Sequence, residues 1–191
     1  MKIAYISGSS IPSRTANSMH VMKMCQAMIQ EGHRVKLYAP RLEVQPVVDN
    51  KLWSHYGVSE TFPIEWLSSP VGWLREYGYA WRAVRAAKVS RAELIFTRHI
   101  IAAVLSTLFD IPAICELHSP PTGLAGPRLL GGFLNARVRR RLVVISDALH
   151  WQLADLIPKA PGGLDVLVAH DGIDLERFAD LPKPVQARQL L

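Results

Sequence analysis

Short apolar runs alternate along the chain with longer stretches in which apolar residues recur every three or four positions. Lys2–Ser7 is the first run. It is rich in β-formers and stops at Gly8, which predicts a strand and a turn. A polar loop over Gly8–Asn17 follows. Val21, Met24, Cys25 and Met28 then keep the i, i+3, i+4, i+7 spacing of one buried helical face, with Asn17 or Ser18 as N-cap and Gly32 as the stop. Val35–Ala39, ended by Pro40, is the second strand. Residues 41–70 carry scattered prolines and isolated aromatics, with one strand signal at Pro63–Leu67. Beyond them the pattern predicts a helix over Gly72–Arg91, a strand at Leu94–Thr97, a helix over Ile100–Phe109 and a strand at Ala113–Leu117. A loop over 118–127, a helix running to Arg141, a strand at Val143–Ile145, a helix over Asp147–Leu156 and a strand at Val166–Ala169 complete the series. Repeated alternation of strand and helix predicts an α/β class: a Rossmann-like, doubly wound, mainly parallel sheet with helices on both faces. Residues 1–179 form this domain. Residues 180–191, with Pro182 and Pro184 and no clear periodicity, read as a linker.

Length and composition narrow the picture a little. The 191 residues suffice for one such domain and are few for two. A hydrophobic content of 49% with 20% charged residues excludes a disordered chain. Cys25 and Cys115 both lie in apolar segments and read as buried thiols. The first residues are too short an apolar run for a signal peptide. The longest apolar stretch, IIAAVLSTLF, is about half a membrane span, so a cytoplasmic protein is expected.

In an open α/β sheet ligands sit at the carboxyl ends of the strands, so the loops there are where chemistry is expected. After the first strand, Gly8, Ser9, Ser10, Asn17 and Ser18 offer backbone N–H groups, hydroxyls and an amide suited to a sugar or phosphate, but no G-x-G-x-x-G is present. Arg98 and His99 follow another strand; Arg98 reads either as an anion clamp or as a partner for Glu116. His118 follows the strand carrying Glu116, and reads either as a catalytic group or as a loop-stabilising hydrogen-bonder. Asp171–Gly172 is a turn dipeptide, and Asp174 a cap for a short helix. The seven histidines and two cysteines show no metal-ligand spacing, so no bound metal is expected. Neither a P-loop nor a G-x-S-x-G elbow occurs.

The formal net charge of +6 favours anionic partners. It is concentrated in GWLREYGYAWRAVRAAKVSR, where Trp73, Tyr77, Tyr79 and Trp81 alternate with arginines, and at Arg137 and Arg139–Arg141. The first segment reads either as a membrane-interface helix or as an amphipathic helix with aromatics in the core. No recognition motif for nucleic acid accompanies the charge, so none is expected as a partner.

Four segments together carry a resemblance: EGHRVKLYAP, FTRHIIAAVLSTLFDIPAICELHSP, VVISDALHWQL and, most specific, VAHDGIDLERF. In this order they resemble the N-terminal domain of the family 4 glycosyltransferases, one half of a GT-B fold. The resemblance implies a retaining, metal-independent transferase that uses a nucleotide-sugar donor and no cofactor. It implies a carbohydrate or lipid-linked acceptor held by this half, with the donor held mainly by a C-terminal domain that this sequence lacks. A hexosyltransferase-like activity, inactive in this half alone, follows. Carried over, His118 is the catalytic-cleft histidine. Gly8 and Ser9 belong to the loop approaching donor and acceptor, Arg98 and Glu116 flank the cleft, and Asp171, Gly172 and Asp174 mark the crossover to the second domain. Asn17 and His20 are further acceptor candidates. Two departures stand out: Ser9 where many relatives have a second glycine, and Asp171 where asparagine is common. Two other readings remain open: a stand-alone Rossmann-like module that binds a phosphorylated or glycosylated ligand without catalysis, and an adaptor peripheral to an anionic membrane.

Overall fold

Ile3 and Tyr5 belong to the apolar layer on one face of the first strand, Ala4 and Ile6 to the layer on the other, and all four are buried. A strand apolar at every position is what a sheet covered by helices on both faces requires. The computed structural model describes residues 1–42, 48, 50–70, 72–156, 166–172 and 182–189. Its strands are β1 (Lys2–Ile6), β2 (Arg34–Pro40), β3 (Ile64–Leu67), β4 (Leu94–Thr97), β5 (Ala113–Leu117), β6 (Arg140–Val144) and β7 (Val166–Val168). The helices are α1 (Ala16–Gln30), α2 (Asn50–Tyr56), α3 (Arg75–Val89), α4 (Ile100–Leu108), α5 (Ala125–Leu134), α6 (Asp147–Leu156) and α7 (Pro184–Gln189), with a 3₁₀ turn at Gly72–Leu74.

The strands form one seven-stranded sheet in the order β3-β2-β1-β4-β5-β6-β7, and every pairing is parallel. The order reverses between β1 and β4. Chain segments leaving those two strands diverge to opposite sides and leave a crevice at their carboxyl ends. One layer joins α1 and α2 to the sheet through Val21, Cys25, Leu52, Trp53 and Tyr56; the other joins α3–α6 through Tyr79, Val84, Leu130, Phe133 and Leu153. The expected doubly wound α/β class is therefore the observed one.

Several boundaries differ from the pattern, each for a local reason. α1 is capped by Thr15, whose hydroxyl accepts from Ser18 N at 3.2 Å, rather than by Asn17 or Ser18. Ser18 is instead fully buried, and its hydroxyl donates to Ser13 O and Thr15 O. Gly32 ends the segment as expected, with φ at 79°. The helix expected to run to Arg141 stops at Leu134, where the Asn135 side chain donates to Gly131 O; the strand after it starts at Arg140, three residues earlier than expected. Within 41–70 the strand signal is confirmed at Ile64–Leu67, but α2 was not legible: its seven residues are too few to show a helical period. The tail read as linker holds the exposed helix α7. In the aromatic-basic segment, Tyr79 is core while Tyr77 and Trp81 are close to half exposed, so neither sequence reading holds for the whole helix.

Both cysteines are free and fully buried. Burial pushes the Cys25 thiol well up, and burial with the nearby Glu116 charge pushes Cys115 up to about 12. The native chain at pH 8 should therefore leave both thiols unreacted with an aromatic disulfide reagent, and both should react once denaturant is added. Prompt labelling of either in the native state would contradict the packing described.

Candidate active site

The period of two along β5 decides where its one acidic residue goes. Leu37, Tyr5, Phe96 and Ile114 are register partners across β2, β1, β4 and β5 and line the face covered by α1. Glu116 lies two residues beyond Ile114, so it faces α1 too, at the carboxyl end of the sheet. Cys115 and Leu117 go to the opposite layer. Glu116 is 5% exposed, and three side chains carrying nitrogen meet it there.

His118 Nε2 donates to Glu116 Oε1 at 2.5 Å. His20 Nε2 stands 3.0 Å from the same oxygen. Arg98 Nε is 3.7 Å from that oxygen, and Arg98 Nη1 donates to Asn17 Oδ1 at 2.5 Å. Asn17 and His20 sit three residues apart in the first turns of α1, a spacing that puts both on one helix face. The two rings of His20 and His118 meet edge to face at 5.1 Å. Burial alone would raise the Glu116 pKa, but the imidazoles of His20 and His118 outweigh it and hold the carboxyl below its usual value. A carboxylate only accepts hydrogen bonds. In the neutral ring this puts the His118 proton on Nε2 and leaves Nδ1 as the acceptor.

Asp171 joins the same group from the segment after β7. Its Oδ1 lies 3.7 Å from His20 Nδ1 and 3.8 Å from His118 Nε2. The Ala169 N to Val144 O bond and the His170 Nδ1 donation to Ile145 O pin this segment beside β6. Gly172 follows in the open, and Asp174 lies outside the described residues.

The loop after β1 is braced from below by the segment the sequence left unread. Tyr56 OH of α2 accepts from Ser13 N at 2.7 Å and donates to Ser13 O at 3.1 Å. Trp66 Nε1 of β3 donates to Ile11 O, and Ile11 itself is fully buried. A Cβ on Gly8 would stand 3.3 Å from the His99 ring, so glycine there sets the approach of the β1 and β4 loops. His99 caps α4 through Nδ1 and donates from Nε2 to Glu76 Oε2 at 2.7 Å, a structural tie to α3. Ser9 is buried, its hydroxyl without a hydrogen-bond partner among the described residues.

Of the sequence candidates, the structure thus gathers Asn17, His20, Arg98, Glu116, His118 and Asp171 at one point, while Gly8 lies against His99. Of the two readings for Arg98, the pairing with Glu116 is present, with Nε 3.7 Å from Oε1. Tyr56 and Trp66 were missed, because nothing in their local pattern shows that they brace a distant loop.

This geometry meets an independent match along the sequence. Residues 18–177 match the profile of Glycosyltransferase Family 4. The chain belongs to that family. No curated protein sequence matches it. Among solved structures it is similar to a glycosyltransferase from Rickettsia africae ESF-5 (TM-score 0.64, 11% identity, 99% of this chain and 48% of that one). It is also similar to the apo form of the lipopolysaccharide outer core galactosyltransferase WaaB (TM-score 0.59, 10% identity, 91% of this chain and 46% of that one). A third likeness is to a ugt transferase from Siraitia grosvenorii in complex with UDP (TM-score 0.53, 11% identity, 93% and 53% covered). At such identities the likeness is one of fold. The family 4 domain described here spans about half the length of each of these structures.

Because Glu116 is held below its ordinary value near 4.5, its charged form stabilises the folded state above that pH. The contribution is lost as pH falls through the lower folded value. Urea unfolding of wild type and Glu116→Gln should show wild type more stable at neutral pH, with the difference narrowing below about pH 4.5. A difference unchanged from pH 6 to the acid limit of folding would contradict this.

Proposed function

We propose that this family 4 domain forms the acceptor side of a retaining glycosyltransferase cleft, with a nucleotide-sugar donor held mainly by a second domain. What carries the reading is the position of His118: at the crevice where strand order reverses, on a loop after β5, with its ring fixed against a buried carboxylate. Transfer needs an acceptor hydroxyl held close to the anomeric carbon while the leaving pyrophosphate is stabilised. His118, with Nδ1 as acceptor, would orient the donor sugar through a hydroxyl hydrogen bond. It does not act as a general base. Asn17, His20 and Arg98 would line the acceptor path beside the braced loop from Gly8, and Asp171 would mark the crossover to the donor domain. Attack from the front face, with the leaving phosphate assisting deprotonation, needs no protein nucleophile. No cofactor enters this reading; the donor is a co-substrate.

The outward face of α3 supports contact with an anionic membrane carrying a lipid-linked acceptor. Leu74, Tyr77 and Trp81 are 45%, 44% and 48% exposed there, among the exposed Arg75, Arg82 and Arg85. Among the described residues no helix is long and apolar enough to cross a membrane. On this reading attachment is peripheral, through the exposed aromatic and basic residues of this face.

In a chain that carries both halves, His118→Ala should lower transfer by about 10²-fold or more, the effect typical of a lost electrostatic or positioning group. Unchanged transfer would overturn the role. Calorimetric titration of these 191 residues with UDP and GDP should give no binding. Clear binding would place a nucleotide pocket in this half and favour the stand-alone binding module.

A further inference from the structure

The amino ends of the strands, opposite the cleft, carry a second concave surface. A groove of about 200 Å³ opens there between Lys2 of β1, Arg34 and Lys36 of β2, Pro63, and the chain leaving α3 at Ser90 and Ala92. None of these residues takes part in the cluster around Glu116.

The sheet register brings the cations of this groove together. Lys2 and Arg34 are direct partners across β1 and β2, and Lys36 is the partner of Ala4, two residues on. Ala4 and Tyr38 belong to the layer under α3–α6, so the period of two sends Lys2, Arg34 and Lys36 to that same face. Like charges set opposite each other on neighbouring strands repel. The nearby acids are already engaged. Glu65 holds Lys36 at 2.7 Å, and Glu93 accepts from the main-chain N–H of Lys2 at 2.5 Å. Among the described residues the side chains of Lys2 and Arg34 have no ion-pair partner.

The end of α3 adds to the positive surroundings. Arg91, between Ser90 and Ala92, takes φ of 57°, a left-handed conformation that a glycine would adopt without strain. The last carbonyls of the helix, which would repel an anion, are met by hydrogen bonds: Ser90 N to Ala86 O, Arg91 N to Lys88 O and Ala92 N to Ala87 O. Ser90 Oγ, held to Tyr38 OH at 3.0 Å, supplies a hydroxyl.

We propose that this groove binds a small soluble phosphomonoester, its phosphate set between Lys2 and Arg34. Such a group carries about two negative charges at neutral pH, matching the two unpaired cations, and the guanidinium fork suits its oxygens. The groove is smaller than the roughly 300–1,000 Å³ of pockets for drug-sized ligands, so the body beside the phosphate is small and a nucleoside diphosphate does not fit. The site goes beyond the transfer reading and does not rest on it.

The test titrates the nitrogen-labelled chain with glycerol 3-phosphate and with inorganic phosphate, at constant ionic strength and neutral pH. Saturable shifts are expected at the amides of Ile3, Arg34, Val35, Ser90, Arg91 and Ala92, with a rise in Tm. Lys2→Gln and Arg34→Gln should each weaken binding about tenfold, the loss expected for one charge-assisted contact, while circular dichroism stays that of wild type. Arg85→Gln, on the exposed side of α3, should leave it unchanged. Absence of saturable shifts at the groove would overturn the proposal, as would shifts that sodium chloride reproduces or that both variants leave unaltered. Binding to vesicles of phosphatidic acid with none to the soluble phosphates would also overturn it. A failure of His118→Ala to affect sugar transfer would bear on the transfer reading alone.

Discussion

A carboxylate that ends a strand buried on both faces is out of water, and such a charge costs several kcal/mol unless donors or cations meet it. Glu116 is in that position. Its neighbours follow from the need: His118 donates to it, His20 and Arg98 stand against it, and Asn17 steadies the guanidinium. Helix α1, the β4 loop and the β5 loop are thereby drawn to one point, and Asp171 approaches from the far edge of the sheet. The shape of the cleft on this side is the shape of the shell around one buried charge.

The topology makes that shell useful. Reversal of strand order between β1 and β4 opens the crevice over which the cluster sits. The layer beneath is stiff. Tyr79 OH, itself buried, donates to Ser7 O and Tyr38 O where β1 and β2 end, and Tyr56 and Trp66 hold the loop after β1. A loop so braced loses little freedom when a ligand arrives, which favours binding and orientation alike. The chain belongs to Glycosyltransferase Family 4, and on the proposed reading this crevice would hold one of two substrates in register.

The sheet was legible because the strands are short, largely apolar runs, several of them closed by glycine, proline or charge, and because helical spacing filled most gaps between runs. Glu116 and His118 were legible as a pair beside a strand end. Their joining with His20 was not, since about a hundred residues of chain separate α1 from β5 and no local pattern records the contact. Helix α2 escaped notice because seven residues carry too little periodicity, and its Tyr56 looks like any buried aromatic until Ser13 is placed against it. The stop of α5 at Leu134 was hidden by an arginine-rich stretch that suits a helix surface and a strand start equally well. Asp171 was read as a turn residue at a crossover, yet it also reaches the imidazoles of the cleft.

The hold of Glu116 on His118 can be read directly from the imidazole nitrogens. Long-range proton–nitrogen correlation spectra of the chain at neutral pH assign which ring nitrogen of His118 carries the proton. If Glu116 anchors the ring, His118 is fixed with its proton on Nε2 and Nδ1 bare, and Glu116→Ala releases it to the mixture of forms seen for a free imidazole. A His118 that is already averaged in wild type, and whose nitrogens do not move when Glu116 is removed, would contradict the anchoring on which the site is built.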